Sequence, residues 1–397
     1  MHAFLYIIPT CLISPAIAEN GLDGWLRYAL LPASLTSHFL TGFPSNIITL
    51  NSSINSLVYT AARELQKGLR GIRHKDVDII CSNKSQSQFA SIVIGTVDIF
   101  TKTFGIGNSW DDLIQDGFSL NISENSVRII GRNERGTFNP HAPIRCVNQW
   151  DNLDGSIERG YEGSSIFFEN GVIVRDLTRA AEYARLLASI GVNAVVVNNV
   201  NANSSLLTPE NIQGLSRIAD VFRPLCFAAG GWGLSIYDPL DPGVIKFWWN
   251  ITNQLYEAVP DMVGYLVKAD SEGQAGPLVY NRTLAQGANL FANSLKPHGG
   301  VLMFRSFVYN KLNESDWKAD RANAAVEFFK DLNGEFDENV IVQIKYGPID
   351  FQVCEPVSPL FANLPHTNTA LELQITSGIP RSAMSFGLYA SIMEDDS

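Results

Sequence analysis

Six charged side chains stand where a chain of alternating strands and helices would gather them. Lys268, Arg305 and Lys345 are cations; Glu272, Asp350 and Glu372 are carboxylates. Each lies within or just beyond one of the apolar runs at 263–268, 301–307, 340–345 and 370–375. A further run, 192–198, ends in the amides Asn198, Asn199 and Asn201. One carboxyl that protonates a leaving oxygen and one that activates water form the usual apparatus for hydrolysing a glycosidic bond. Three cations in one cup of a chain with net charge −11 point to an anionic substrate, because guanidinium and ammonium groups bind carboxylate or phosphate through charge-assisted hydrogen bonds. Glu372 sits between Leu371 and Leu373. Strand alternation sets it on the side of Gln374. A carboxylate there is costly unless it is paired or used. Taken singly, each residue also fits a cap, a surface ion pair or a turn. Five successive strand ends in charge or amide favour a site.

The elements that must position these residues follow from the apolar rhythm. After Trp150, helical segments at 177–189, 209–221, 244–258, 282–295 and 321–332 alternate with the five apolar runs. Most of the runs begin about one βα unit after the last; the gap after the first has room for two, and 225–229 would fill it. Repeated β-then-α with apolar strands means parallel sheet, and the reading is a (β/α)8 TIM-barrel domain over residues 141–397. A doubly wound sheet is the alternative, although no Gly-x-Gly-x-x-Gly opens any of the helices. Residues 19–140 read differently, as a small α+β domain. It has a helix over 58–69 and short strands at 91–95, 116–120 and 126–131, without a cluster of catalytic residue types.

Composition bounds the function. Hydrophobic residues make up 46% of the 397, ample for a large core, and charged residues 17%. The acidic balance argues against a nucleic-acid or anionic-membrane binder. Residues 1–18 are apolar and end in Ala16-Ile17-Ala18, the pattern of a secretory leader, so the expected location is extracellular; a buried first strand is the alternative. Seven Asn-x-Ser/Thr sequons agree with secretion. Of the five cysteines, Cys11 lies in the leader; Cys81, Cys146, Cys226 and Cys354 form no Cys-x-x-Cys pair and have no histidine cluster, so no metal site or cofactor is expected.

Longer blocks carry a resemblance. The run Trp150-Asp151-Asn152-Leu153-Asp154-Gly155-Ser156-Ile157-Glu158-Arg159-Gly160-Tyr161 resembles the signature of the α-glucuronidases of glycoside hydrolase family 67. So do Tyr183-Ala184-Arg185-Leu186-Leu187-Ala188, Val197-Asn198-Asn199-Val200-Asn201, Lys268-Ala269-Asp270-Ser271-Glu272-Gly273-Gln274, Gly347-Pro348-Ile349-Asp350-Phe351-Gln352 and the opening Asp23-Gly24-Trp25-Leu26-Arg27-Tyr28. The likeness covers residues 19 to 376.

The resemblance implies a chain that releases glucuronic or 4-O-methyl-glucuronic acid from glucuronoxylan oligosaccharides with inversion and without a metal. It implies Glu272 as general acid, and Asp350 and Glu372 as the carboxylates that activate water. Lys268, Arg305 and Lys345 would surround the sugar and its carboxylate, with Trp150 beside the ring. Family members are longer. A segment is absent between Thr137 and Pro140, the block between Pro224 and Tyr237 differs, and the likeness ends after Thr376. The barrel is therefore expected to be incomplete, with open strand edges that promote aggregation and little activity. An inactive family member and a secreted glycan-binding protein are the competing readings; retention of all three carboxylates speaks against the latter. The leader reading predicts a mature chain that begins near Glu19. N-terminal sequencing of secreted material checks this, and a product still starting at Met1 or His2 overturns it.

Overall fold

The computed structural model describes residues 46–51, 56–73, 76–81, 91–105, 117–123, 126–133, 144–158, 163–198, 204–222, 225–229, 236–270, 275–307, 321–347, 356–374 and 385–389, with a few isolated positions between them. The chain divides into two compact units, residues 1–139 and 140–397. The leader at 1–18, Glu272, Asp350, and the junctions at Thr137–Pro140 and Thr376 lie outside the described residues. Among the described residues no helix is long and apolar enough to cross a membrane.

The first unit is built on strands β1 (Asn46–Thr49), β2 (Asp78–Cys81), β3 (Ser91–Thr96), β4 (Phe118–Ser123) and β5 (Ser126–Gly131) with helices α1 (Leu57–Arg73) and α2 (Val97–Phe104). The sheet order is β2-β1-β3-β5-β4; the first four strands in that order pair in parallel, and β4 pairs antiparallel with β5 at the edge. Alternation along the strands splits the core in two. Ile47, Ile92 and Ile94 pack with Val58, Ala62 and Leu69 of α1, whereas Ile48, Val93 and Ile130 pack with Val97 and Phe100 of α2. The parallel strands β1 and β2 were not expected; both are only four residues long, too short for a period-2 signal to stand out.

The second unit begins with β6 (Ile144–Asn148) and the small hairpin β7 (Phe168–Glu169) and β8 (Val172–Ile173). Strands and helices then alternate. They are α3 (Thr178–Ser189), β9 (Ala194–Val196), α4 (Pro209–Val221), β10 (Leu225–Ala229), α5 (Pro242–Ala258), β11 (Gly264–Val267), α6 (Leu284–Leu295), β12 (Val301–Arg305), α7 (Arg321–Phe329), β13 (Val340–Lys345), β14 (Thr369–Gln374) and β15 (Ser385–Tyr389). Local chemistry starts the helices at fixed points. Thr208 and Asp241 cap α4 and α5 ahead of Pro209 and Pro242, and Thr283 with Gln286 forms a capping box on α6.

Eight strands close into a ring in the order β10-β11-β12-β13-β14-β15-β6-β9. Seven run parallel, and β15 lies antiparallel between β14 and β6. This corrects the expectation of an incomplete sheet with open edges. β6 supplies a strand that the apolar rhythm did not reveal, and β15 pairs on both sides, so the edges thought to template aggregation are occupied. The ring also departs from a regular (β/α)8 barrel, in which all eight strands are parallel. β6 was missed because Arg145 breaks its apolar run; the guanidinium Nε donates to the Gly191 carbonyl instead of entering a core.

Side-chain parity in the ring decides what faces inward. Val195, Val197, Tyr265, Val267, Leu302, Phe304, Val342 and Ile344 pack outward against helix residues such as Trp248, Leu284 and Phe329. Cys146, Ala194, Val196, Leu266, Met303 and Ala370 pack inward against one another. β11 starts at a glycine for a steric reason: Gly264 has φ +146, and a Cβ there would lie 1.8 Å from the Val301 carbonyl oxygen. Gly264→Ala is therefore expected to cost at least about 1–3 kcal/mol from backbone strain alone. Urea denaturation of the variant measures it, and a midpoint equal to wild type contradicts the steric account.

Candidate active site

Continuing the inward parity by two residues at a time leads from the apolar layer into a polar one. Cys146 is followed by Asn148 and Trp150, Val196 by Asn198, Leu266 by Lys268, Met303 by Arg305 and Phe307, Ile341 by Gln343 and Lys345, and Ala370 by Glu372. The expected residues Trp150, Lys268, Arg305, Lys345 and Glu372 thus lie at one end of the ring, at the carboxyl ends of the parallel strands or just beyond them.

Arg305 and Glu372 form the centre. Both are almost wholly buried, at 2% and 1% exposure. Arg305 Nε donates to Glu372 Oε2 at 2.9 Å and Nη2 donates to Oε1, a bidentate pair. Gln343 Nε2 adds a third bond, to Oε2. Register makes this possible: Arg305 is paired with Gln343 across β12 and β13, and Lys345 with Glu372 across β13 and β14. Burial alone would raise the Glu372 carboxyl. The charges of Arg305 and Lys345 and the bonds from Arg305 and Gln343 outweigh it and hold the group below the usual carboxylate range. Glu372 is therefore ionised, and both its oxygens are engaged.

Two aromatic rings stand among the cations. Arg305 and Lys268 approach the Trp150 ring at 5.7 and 5.9 Å from its centroid. Phe307 is approached by Lys345 at 3.8 Å, Lys268 at 5.0 Å and Arg305 at 5.4 Å. Ring faces are electron-rich and attract cations at these distances, so the rings let three positive groups share one mouth. A cavity of about 210 Å³ opens beside Phe307 and Lys345, with Ser306, Ile344, Val357 and Ser358 also in its wall.

Trp150 is set by the loop it begins. The buried Asp151 carboxylate accepts from Gln149 Nε2 at 2.7 Å, Ser165 Oγ at 2.6 Å, and the Ile166 and Phe167 amides at 2.6 and 3.1 Å. Burial pushes its carboxyl above the ordinary value, and these bonds oppose the shift. Tyr183 donates to Gln149 Oε1 at 3.0 Å, which ties the loop to α3. The Glu158 amide donates to the Trp150 carbonyl, and Asn152 Nδ2 donates to the Glu158 carbonyl, so the run 150–158 folds back on itself.

Sequence reasoning missed Phe307, Gln343 and Asn148 as site residues. All three were in reach of the inward parity, but only once the strands and their inner face were known. Cys146 is buried in the inward layer and Cys81 is exposed.

Residues 130–379 match the glycosyl hydrolase family 67 middle domain, and residues 24–138 match the family 67 N-terminus. The chain belongs to glycosyl hydrolase family 67. It is 56% identical to the α-glucuronidase A of Aspergillus tubingensis over 92% of this chain and 47% of that protein. It is 55% identical to a probable α-glucuronidase A of Neosartorya fischeri, over 92% of this chain and 47% of that protein, and 52% identical to an α-glucuronidase of Hypocrea jecorina, over 94% and 48%. The chain spans about half the length of the curated relatives it matches.

The buried pair generates a prediction about stability. Replacing Arg305 by Met or Glu372 by Leu leaves one buried charge unpaired and is expected to cost about 3–5 kcal/mol, while the double replacement costs less than the two singles together. Glu372 is held below its unfolded value, so its contribution is present above about pH 4.3 and is lost as pH falls through the folded value. Urea unfolding between pH 7 and pH 3 tests both points: strictly additive single costs, or an acid limb unchanged in Glu372→Leu, contradict the pairing.

Proposed function

We propose that this chain carries an α-glucuronidase site, hydrolysing the α-1,2 linkage that joins glucuronic or 4-O-methyl-glucuronic acid to xylan-derived oligosaccharides. The observation that carries the reading is the convergence of Lys268, Arg305 and Lys345 on the rings of Trp150 and Phe307, beside the buried Glu372. Such a mouth suits a sugar that bears a carboxylate, with the rings covering its apolar face. The related α-glucuronidases point the same way.

The resemblance to the family assigns Glu272 as the general acid, and a xylose leaving group needs a proton. A water on the opposite face attacks with inversion, its proton taken by a carboxylate placed across the sugar. Asp350 and Glu372 are the candidates. The pairing of Glu372 with Arg305 lowers its basicity, which favours Asp350 as acceptor and leaves Glu372 to fix Arg305. In the same reading the protein is secreted, its leader removed after Ala18.

The direct test is release of the uronic acid from aldouronic acids by the purified chain. Glu272→Gln is expected to lower this by about 10²–10⁴-fold, and to lower hydrolysis of an aryl glucuronide, which leaves without help, far less. Equal losses on the two substrates rule against the acid role. Arg305 is a poor probe of binding because its loss strands Glu372, so Lys345 is the cleaner choice. Lys345→Ala is expected to raise KM for the uronic-acid substrate by roughly ten- to hundredfold, the loss of one charge-assisted contact. An unchanged KM assigns Lys345 to the fold instead.

A further inference from the structure

Asn148 is the last residue of β6 and is 2% exposed. Its backbone belongs to the ladder, opposite Val196 on β9 and Ser385 on β15. Its side chain follows Cys146 on the inward face, one step before Trp150. Neither carboxamide atom, Nδ2 nor Oδ1, has a hydrogen-bond partner. The adjacent amide behaves differently: Gln149, of opposite parity, uses both ends, Nε2 to Asp151 and Oε1 from Tyr183. A buried amide left unpaired costs about 1–3 kcal/mol for each group, so a chain that keeps one at the floor of a site has a use for it when the site is filled. The neighbouring Trp150 Nε1 is likewise buried without a partner, and its ring lies against Lys268 and Arg305.

A carboxamide offers a donor and an acceptor side by side, which matches two adjacent hydroxyls of a pyranose ring: one accepts from Nδ2 and the other donates to Oδ1. We propose that Asn148 binds two neighbouring hydroxyls of the acidic sugar in the site. This rests on the acid-sugar reading given above and adds to it a residue that discriminates among sugars by their hydroxyls.

Calorimetric binding of glucuronic acid and its 2-deoxy, 3-deoxy and 4-deoxy derivatives to the 397-residue chain tests the assignment. The wild-type chain is expected to bind glucuronic acid and to lose about tenfold in affinity when either hydroxyl of one adjacent pair is missing. Asn148→Leu is expected to lose about a hundredfold for glucuronic acid and about tenfold for those same deoxy derivatives, which keep one of the two contacts in the wild type, and to melt no lower, because two unpaired polar groups are gone. Equal wild-type affinity for glucuronic acid and every deoxy derivative overturns the proposal without need of a variant. Undiminished glucuronic acid binding by Asn148→Leu overturns it as well. If the wild-type chain binds none of these sugars, the acid-sugar reading itself fails, and this assignment with it.

Discussion

The bidentate ion pair between Arg305 and Glu372 constrains everything around it. Both groups are buried inside the strand ring, where an unpaired charge is costly. They come from β12 and β14, with β13 between them, so the pair forms only when all three strands hold one register. A slip of a single residue would turn one partner to the outward face, among Phe304, Ile344 and the helices. The interaction that prepares the site for an anion is therefore the one that fixes the register of the sheet beneath it. Gln343, from the strand in between, completes the coordination of the carboxylate.

The electrostatics of the mouth follow from that pair. Arg305 is paired with Glu372, and Lys268 and Lys345 stand beside the same two aromatic rings. Phe307 is approached by all three cations. An aromatic face attracts a cation without taking up its charge. Trp150 has a second role, as the first residue of a loop tied through Asp151 to Ser165, Ile166 and Phe167, so the ring position is fixed by contacts remote from the mouth.

Much of this was legible in the chain. The apolar runs at β9, β11, β12, β13 and β14 and the helices between them were readable because parallel strands are buried on both faces and so read as continuous apolar segments. The charges at their ends were readable for the same reason: a Lys, Arg or Glu interrupting such a run is conspicuous. β6 was not legible, because Arg145 hides its run and its partner β9 lies some 48 residues on. Nor was β15, whose antiparallel pairing with β6 and β14 joins segments far apart in the chain.

The sequence by itself determined the alternation of strands and helices, the identity of the cations and carboxylates, and, through its long matching blocks, the family. These depend on local pattern, which a linear chain displays in full. Only the tertiary structure decided that the strand ring closes, that Glu372 is held by Arg305 and Gln343, and that Trp150 and Phe307 stand beside the same cations. Those facts depend on which strands become neighbours and in what register. Strand pairing joins residues tens to hundreds of positions apart, and its energy comes from burial and long-range pairing that no local window contains.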